Sequence, residues 1–437
     1  MGVLRDTDKK KRILYVAPFA HCDGHHCYAA CTESEALSKN GAEVLLLTFN
    51  GLIDESARPK AVNLEHIVNK DLRPVLSRIN SHERIKWLFM FLAAFLTMMK
   101  AARIYKNGRY DLIHLRDADP FPFLPRLVGL FSKNTRWIVS VLATLEDVPL
   151  AGPSSRFPLW RPVYNASLSN ANQYVYVCQN EKVRNYYSNK YLGGILHGNV
   201  FELSPIIPDR NSKIPDVTEE IARKRLGLPA RKTIFLSFGS IHKGKDPETI
   251  FQGVKSLPDV LCLHAGMTTS NMISNFDRLK SQYSSNVTFH DYYIPESEKA
   301  YYFAASSAIV LSYTKDFTAT SSMLWEACRF RMPIIASESS HLADLVRSFG
   351  LGLTFESQNA DSLKETMINF MSLDQDSIST MRKNCDKFCS HFSEEEWTSR
   401  CFELYRKLST RKQISRGKIE SGHVYIMNND LTQHELV

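Results

Sequence analysis

Short runs of consecutive apolar residues alternate with longer helical periodicities along most of the chain. In the first half, Ile13 to Ala17, Val44 to Thr48, Leu112 to Leu115, Trp137 to Val141 and Tyr174 to Val177 read as strands. In the second half the same reading covers Thr233 to Phe238, Val260 to Ala265, Val287 to His290, Ile309 to Leu311 and the run after Pro333. Ile13 to Ala17 is apolar throughout rather than at every second position, which marks a strand covered on both faces. Polar turns and helices separate the runs; the first turn spans Pro18 to His26, and its helix runs through Leu37 to stop at Asn40-Gly41. Repeated strand–turn–helix–strand units predict parallel sheets with helices on both faces, an α/β chain.

With 437 residues the chain exceeds one core and suits two domains. Ser204 to Val217, with Pro205, Pro208, Pro215 and several charges, reads as the linker. The predicted units are residues 12–203, residues 218–376, a helical segment over 377–408 rich in aromatics, and a polar tail over 409–437.

The stretch Ala308 to Ser337 carries the clearest chemistry. A strand breaks into Thr320-Ser321-Ser322, then resumes as a helix from Met323 to Arg329. Such a loop brings hydroxyls and free backbone amides to a helix N-terminus, which favours an anion such as phosphate. Glu326, one turn further, is placed to accept hydrogen bonds from hydroxyls on the molecule bearing that phosphate. As an isolated feature this is more often an ordinary cap with a first-turn acid. The turn Gly239-Ser240 to Lys245 adds to it: glycine directly after a strand lets backbone approach a diphosphate, and Lys243 and Lys245 supply charge.

Ligands in parallel sheets gather beyond the carboxyl ends of the strands. In the first half the residues there are Gly24, His25, His26, Arg116, Asp117, Asp119, Thr144, Glu146 and Asp147, with Glu146 and Asp147 the candidate catalytic acids. No G-x-G-x-x-G follows the first strand, which argues against a dinucleotide-binding dehydrogenase. Cys22, Cys27 and Cys31 near His25 and His26 match no usual zinc spacing.

A net charge of +8 favours anionic partners, but without an aromatic-interleaved basic stripe it does not single out nucleic acid. Nine scattered cysteines suit a reducing compartment better than a disulfide framework. The run Trp87 to Met99, thirteen residues flanked by Arg84, Lys86, Lys100, Arg103 and Lys106, is short for a bilayer span of about twenty residues. It reads as a buried helix or as one lying on an anionic membrane surface, with Phe121 to Phe131 extending the apolar patch.

Two doubly wound halves, a linker and a phosphate-binding strand–loop–helix resemble the GT-B glycosyltransferases, most closely the family 4 of nucleotide-sugar enzymes. The resemblance spans about Arg12 to Leu408 and is strongest from Ile234 to Phe355. It implies two Rossmann-like domains facing each other across a cleft, with a C-terminal helical segment. Glu326 looks like the second member of the family's Glu-x7-Glu pair and would hold the donor ribose. Thr318 stands at the first member's place and Ser240 at that of the usual arginine. Gly239, Ser240, Lys243, Lys245, Thr320, Ser321 and Ser322 would face the diphosphate, and Gly24, His25 and His26 would form the acceptor-side loop. Glu146 stands where a donor-contacting histidine is common. The implied function is metal-independent, retaining transfer from a nucleoside diphosphate sugar to a saccharide or lipid-linked acceptor, in cell-surface polysaccharide or glycolipid biosynthesis. The nucleotide sugar is a co-substrate and no cofactor is expected. The expected place is cytoplasmic, peripheral on the inner membrane face. Other readings of the same architecture are a catalytically silent binding protein and a sugar-nucleotide epimerase.

Overall fold

The computed structural model describes residues 10–20, 24–52, 58–70, 72, 83–118, 121, 124–131, 135–141, 174–180, 183–185, 200–203, 206, 216–242, 244–269, 272–317 and 321–410. The chain divides into two compact units, one of residues 1–206 with 394–437 and one of residues 207–393.

The first unit is built on strands β1 (Arg12–Ala17), β2 (Glu43–Thr48), β3 (Asn63–His66), β4 (Leu112–Leu115), β5 (Trp137–Val141), β6 (Tyr174–Cys178) and β7 (Val200–Glu202). They form a sheet in the order β3-β2-β1-β4-β5-β6-β7, and every pairing is parallel. Its described helices include α1 (Gly24–Lys39), α2 (Glu83–Lys106) and α3 (Leu124–Phe131). The apolar run predicted over Trp87 to Met99 is the middle of a 24-residue helix, because the Arg, Lys and Ala on its flanks are themselves good helix formers. That helix is long and apolar enough to cross a membrane by length and composition alone. One face is nonetheless spent on the sheet: Met90, Ala94, Met98, Ala101 and Ala102 are buried against Leu14, Val16, Ile113 and Leu115.

The second unit contains β8 (Thr233–Phe238), β9 (Val260–Ala265), β10 (Val287–His290), β11 (Ala308–Leu311), β12 (Ile334–Ser337) and β13 (Gly352–Phe355), in the order β10-β9-β8-β11-β12-β13 and again all parallel. Helices α4 (Glu219–Arg225), α5 (Pro247–Lys255), α6 (Ile273–Tyr283), α7 (Glu296–Ala304), α8 (Ser322–Arg329), α9 (Ser340–Ser348), α10 (Ala360–Met371) and α11 (Gln375–His391) surround it. Side chains cap several: Asp246 accepts from Thr249 N at α5, Asn359 from Ser362 N at α10 and Asp374 from Ser377 N at α11. In both sheets the strand order reverses beside the first strand of the unit. That switch point opens a crevice at the carboxyl ends of β1 and β4, and of β8 and β11.

The helical stretch predicted over 377–408 is two helices assigned to different units. Phe388 of α11 and Phe392 at its C-cap pack on Trp325 and Phe349 within the second unit. Helix α12 (Glu394–Thr410) instead buries Trp397, Cys401, Leu404 and Tyr405 in the first unit's core, with Tyr15, Cys31 and Leu37. The aromatics the sequence left without a surface are thus shared between two cores. Of the predicted linker, 204–217, only Ile206, Asp216 and Val217 are described, and the tail beyond Thr410 lies outside the described residues.

Candidate nucleotide-sugar site

Strand β8 ends at Phe238 and the chain turns at Gly239, whose φ of +89° is one that residues with a Cβ rarely adopt. Its amide is held by Ala265 O at 2.9 Å, across the end of β9. Gly266 closes in from that side: a Cβ there would stand 2.5 Å from the Gly239 carbonyl carbon, so glycine is required at both positions. Behind this pair, His264 bridges Ser237 Oγ at 3.2 Å and Gly266 O at 3.2 Å, which fixes the second glycine on β9. Burial drives the His264 pKa down to about 3, so the ring bridges in its neutral form.

Lys245 reaches the same turn from the other side. Its backbone pairs with Tyr313 just beyond β11, and its Nζ donates to Phe238 O at 2.6 Å. Nζ lies 3.2 Å from where a Gly239 Cβ would be, and the Met323 sulfur of α8 lies 3.3 Å from that point. The glycine turn, the lysine and the first turn of α8 therefore meet at one place, at the switch point between β8 and β11. Burial lowers the Lys245 pKa to about 8, the direction expected for an ammonium short of counter-charge.

Helix α8 is capped by Ser321, but the serine side chain makes no cap hydrogen bond. Its hydroxyl pairs with Tyr313 OH at 2.6 Å, and the Tyr313 ring stacks on Phe317 at 4.1 Å. With the hydroxyl engaged there, the Ser321 side chain does not cap the first turn of α8, and only the Ser321 carbonyl reaches in, accepting from Leu324 N at 3.1 Å. A helix end of this kind presents N–H groups and partial positive charge to an anion. Ser322 is exposed, and Glu326 stands one turn on.

Glu326 belongs to a closed ring of ion pairs. Lys299 Nζ on α7 lies 2.8 Å from Glu326 Oε1 and 2.6 Å from Glu296 Oε2. Arg329 closes the ring, 2.9 Å from Glu296 Oε1 and 3.3 Å from Glu326 Oε2. The carboxylate is fixed in orientation and keeps lone pairs for further donors.

Of the predicted donor residues, Gly239, Ser240, Lys245, Ser321, Ser322 and Glu326 all belong to this one unit, and Gly239, Lys245 and the start of α8 converge. Lys243 and Thr320 lie outside the described residues, as do Thr318, Asp119, Thr144 and the candidate acids Glu146 and Asp147. Sequence reasoning missed Gly266, Tyr313, Lys299 and Arg329. Gly266 had a signal, a glycine directly after a buried strand. Lys299 had none, since its partner is 27 residues away on another helix.

In the first unit, Gly24 and His25 open α1, and His26 follows in its first turn, with Nδ1 2.8 Å from Asp117 Oδ2. Asp117, beyond β4, has a φ of +57° and is gripped by the Arg116 guanidinium. Arg116 Nε also reaches Glu33 Oε2 at 3.1 Å, and the same oxygen accepts from Tyr15 OH. Burial raises the Glu33 pKa. Buried charge collected at the carboxyl end of a sheet is costly and concentrates at functional sites.

Sheets of this order and direction in two successive units define the GT-B fold, and known proteins agree. Residues 218–388 match the family model described as glycosyl transferases group 1. Among solved structures, a glycosyltransferase from Rickettsia africae ESF-5 aligns with a TM-score of 0.69 and 14% identity, over 92% of this chain and 100% of its own. Sucrose-phosphate synthase from Thermosynechococcus elongatus aligns at TM-score 0.65 and 18% identity, over 91% of this chain and 99% of its own. Anabaena HepE in complex with UDP aligns at TM-score 0.66 and 14% identity, over 91% and 100%. Comparison of the sequence with curated proteins finds no match.

Proposed function

We propose that the chain transfers a sugar from a nucleoside diphosphate sugar to a saccharide or lipid-linked acceptor. One observation carries the reading: Gly239, Lys245 and the N-terminus of α8 meet at the switch point of a glycosyl transferases group 1 domain. The diphosphate would lie against the Gly239 turn and on the α8 amides, with Lys245 as counter-charge, and the ribose hydroxyls would donate to Glu326. As the sugar–phosphate bond breaks, negative charge grows on the departing diphosphate. Fixed amides and an ammonium aimed there stabilise it without reorganising, the kind of assistance that usually dominates such catalysis. That charge balance needs no metal, and metal independence and retention at the anomeric carbon form part of the proposal. Similar folds crystallise with UDP and with UDP-glucose, which supports a donor of that class. The described cysteines are buried, as suits thiols in cytoplasmic surroundings. Work on a lipid-linked acceptor at the inner membrane face, for cell-surface polysaccharide or glycolipid, completes the reading.

A thermal-shift screen over UDP, GDP, UDP-glucose, UDP-N-acetylglucosamine and GDP-mannose tests it, since a ligand at a hundred times its Kd adds about 2.7 kcal/mol. The expected result is a clear shift with one nucleotide series and release of the nucleoside diphosphate on adding acceptor extract. Binding with no release points to the silent reading. Conversion of the sugar with no acceptor points to the epimerase, and no shift with any nucleotide removes the site.

A further inference from the structure

Helix α2 presents a second face, pointing away from the sheet it packs on. Ile85, Leu88, Leu92 and Leu96 are 46–53% exposed, and their spacings of three and four residues put them on one line along the helix. A burial-driven fold does not leave four large aliphatic side chains in a row in water without a use. The line continues at helical spacing to Arg103 and Lys106, both exposed. Lys106 Nζ donates to Phe131 O at 3.1 Å, and the Phe131 ring at the end of α3 is itself 63% exposed. The apolar stripe from Ile85 to Leu96, about 17 Å long at 1.5 Å per residue, is thus followed along the same line by two cations and an aromatic. The helix as a whole carries five basic residues against one acidic; Lys100 among them is paired with Glu65 at 2.5 Å, which leaves Arg103 and Lys106 as the exposed cations at this end.

We infer that this face of α2, with the end of α3, lies flat on an anionic lipid surface. The aliphatic line enters the headgroup boundary, and Arg103 and Lys106 pair with lipid phosphates. The charge pattern selects this occupant: a protein partner would need matching acids, whereas a lipid surface supplies anionic charge along the whole length of the helix. The helix lies on the surface rather than spanning it, because its alanine face is occupied by the sheet. This deepens the acceptor side of the proposed function, on which it rests, since lipid-linked acceptors are found on such a surface. Phe91, in the middle of the apolar run, is half-buried, with its ring stacked between Trp87 and Phe95. Leu92 and Leu96 point outward.

The test is co-sedimentation of the full chain with vesicles of phosphatidylcholine alone and with one-third phosphatidylglycerol, without donor or acceptor. Wild type is expected to bind the anionic vesicles at least tenfold more tightly, with affinity falling as salt rises. The pair Leu92→Glu and Leu96→Glu should lose at least tenfold. Arg103→Glu with Lys106→Glu should lose a similar factor on anionic vesicles only. The milder pair Leu92→Ser and Leu96→Ser, checked by circular dichroism, keeps the result readable if the charged pair misfolds. Equal binding by wild type and all variants, or no binding by wild type, overturns the inference. So does a wild-type dimer that light scattering shows dissolving in the Leu92→Glu pair, because the face would then be closed by a second copy. Nucleotide binding, read separately by thermal shift, reports on the transfer reading alone.

Discussion

The Lys245 ammonium donates to the carbonyl oxygen of Phe238, the last residue of β8, at 2.6 Å. This contact ties the cation to the strand end from which the glycine turn departs, so the charge is placed before any ligand arrives. Preplacement of this kind avoids ordering a long side chain during binding.

The same contact predicts a pH dependence. Burial lowers the Lys245 pKa from 10.5 to about 8. Below about pH 8 the folded chain holds a buried charge at a cost. Between about pH 8 and 10.5 the unfolded chain keeps a proton that the folded chain has lost, so stability rises with pH across that window. A bound diphosphate reverses the pressure by favouring the ammonium. Affinity for the nucleotide identified in the screen should therefore fall above pH 8, approaching tenfold per pH unit, with proton uptake on binding. Lys245→Met should weaken binding by about 1.5–3 kcal/mol and flatten the profile. Titration calorimetry at pH 7 and 9 in two buffers measures both, and a profile as steep in the variant as in wild type would rule Lys245 out as its source.

Lys299 is expected to act through Glu326 rather than on substrate. Without its ammonium the carboxylate is left to Arg329 alone and can swing off the position it holds for a ribose. Lys299→Met should raise the donor KM about 5- to 30-fold, the equivalent of about 1–2 kcal/mol, and leave kcat near wild type. Lys299→Arg should restore most of it, since a guanidinium can span the same two acids. Donor KM and kcat for the three proteins decide the matter. A fall in kcat at unchanged KM would show that Lys299 does something else.

The strands that place the site were legible because parallel-sheet strands are buried on both faces and read as unbroken apolar runs. The edge strands β3 and β13 were not, since Asn63-Leu64-Glu65-His66 and Gly352-Leu353-Thr354-Phe355 are half wet and carry no such run. Gly239, Lys245 and the α8 cap could be read because each lies next to a strand end. Lys299 and Arg329 could not, because an ion-pair ring is a property of how α7 packs on α8. The split of the C-terminal helices had the same cause: periodicity shows that Phe388 and Tyr405 are each buried and says nothing of the core that takes them. The network of His26, Asp117, Arg116, Glu33 and Tyr15 was half visible. The residues after β4 stood out as a strand exit, whereas Glu33 looked like one more acid on an amphipathic helix.

His114 gives the return of α12 to the first unit a measurable signature. Its Nδ1 is 2.7 Å from Tyr405 OH and its Nε2 is 2.8 Å from Ser140 Oγ, so one buried ring joins β4, β5 and α12. Burial, aided by the nearby Arg116 charge, lowers its pKa from 6.5 to about 3. Between those values the unfolded chain binds a proton that the folded chain excludes, so stability is lost as pH falls below 6.5, by up to about 1.4 kcal/mol per unit from this residue. His242, at about 4, and His264, at about 3, add similar losses in the second unit. His114→Phe should cost about 1–3 kcal/mol at pH 7, because Tyr405 and Ser140 lose a buried partner. It should also remove its share of the acid dependence, so the gap between variant and wild type narrows at pH 5. Urea unfolding at the two pH values, followed by near-ultraviolet circular dichroism, provides the comparison. A gap of the same size at pH 5 and pH 7 would mean that the folded chain takes up a proton at this ring after all.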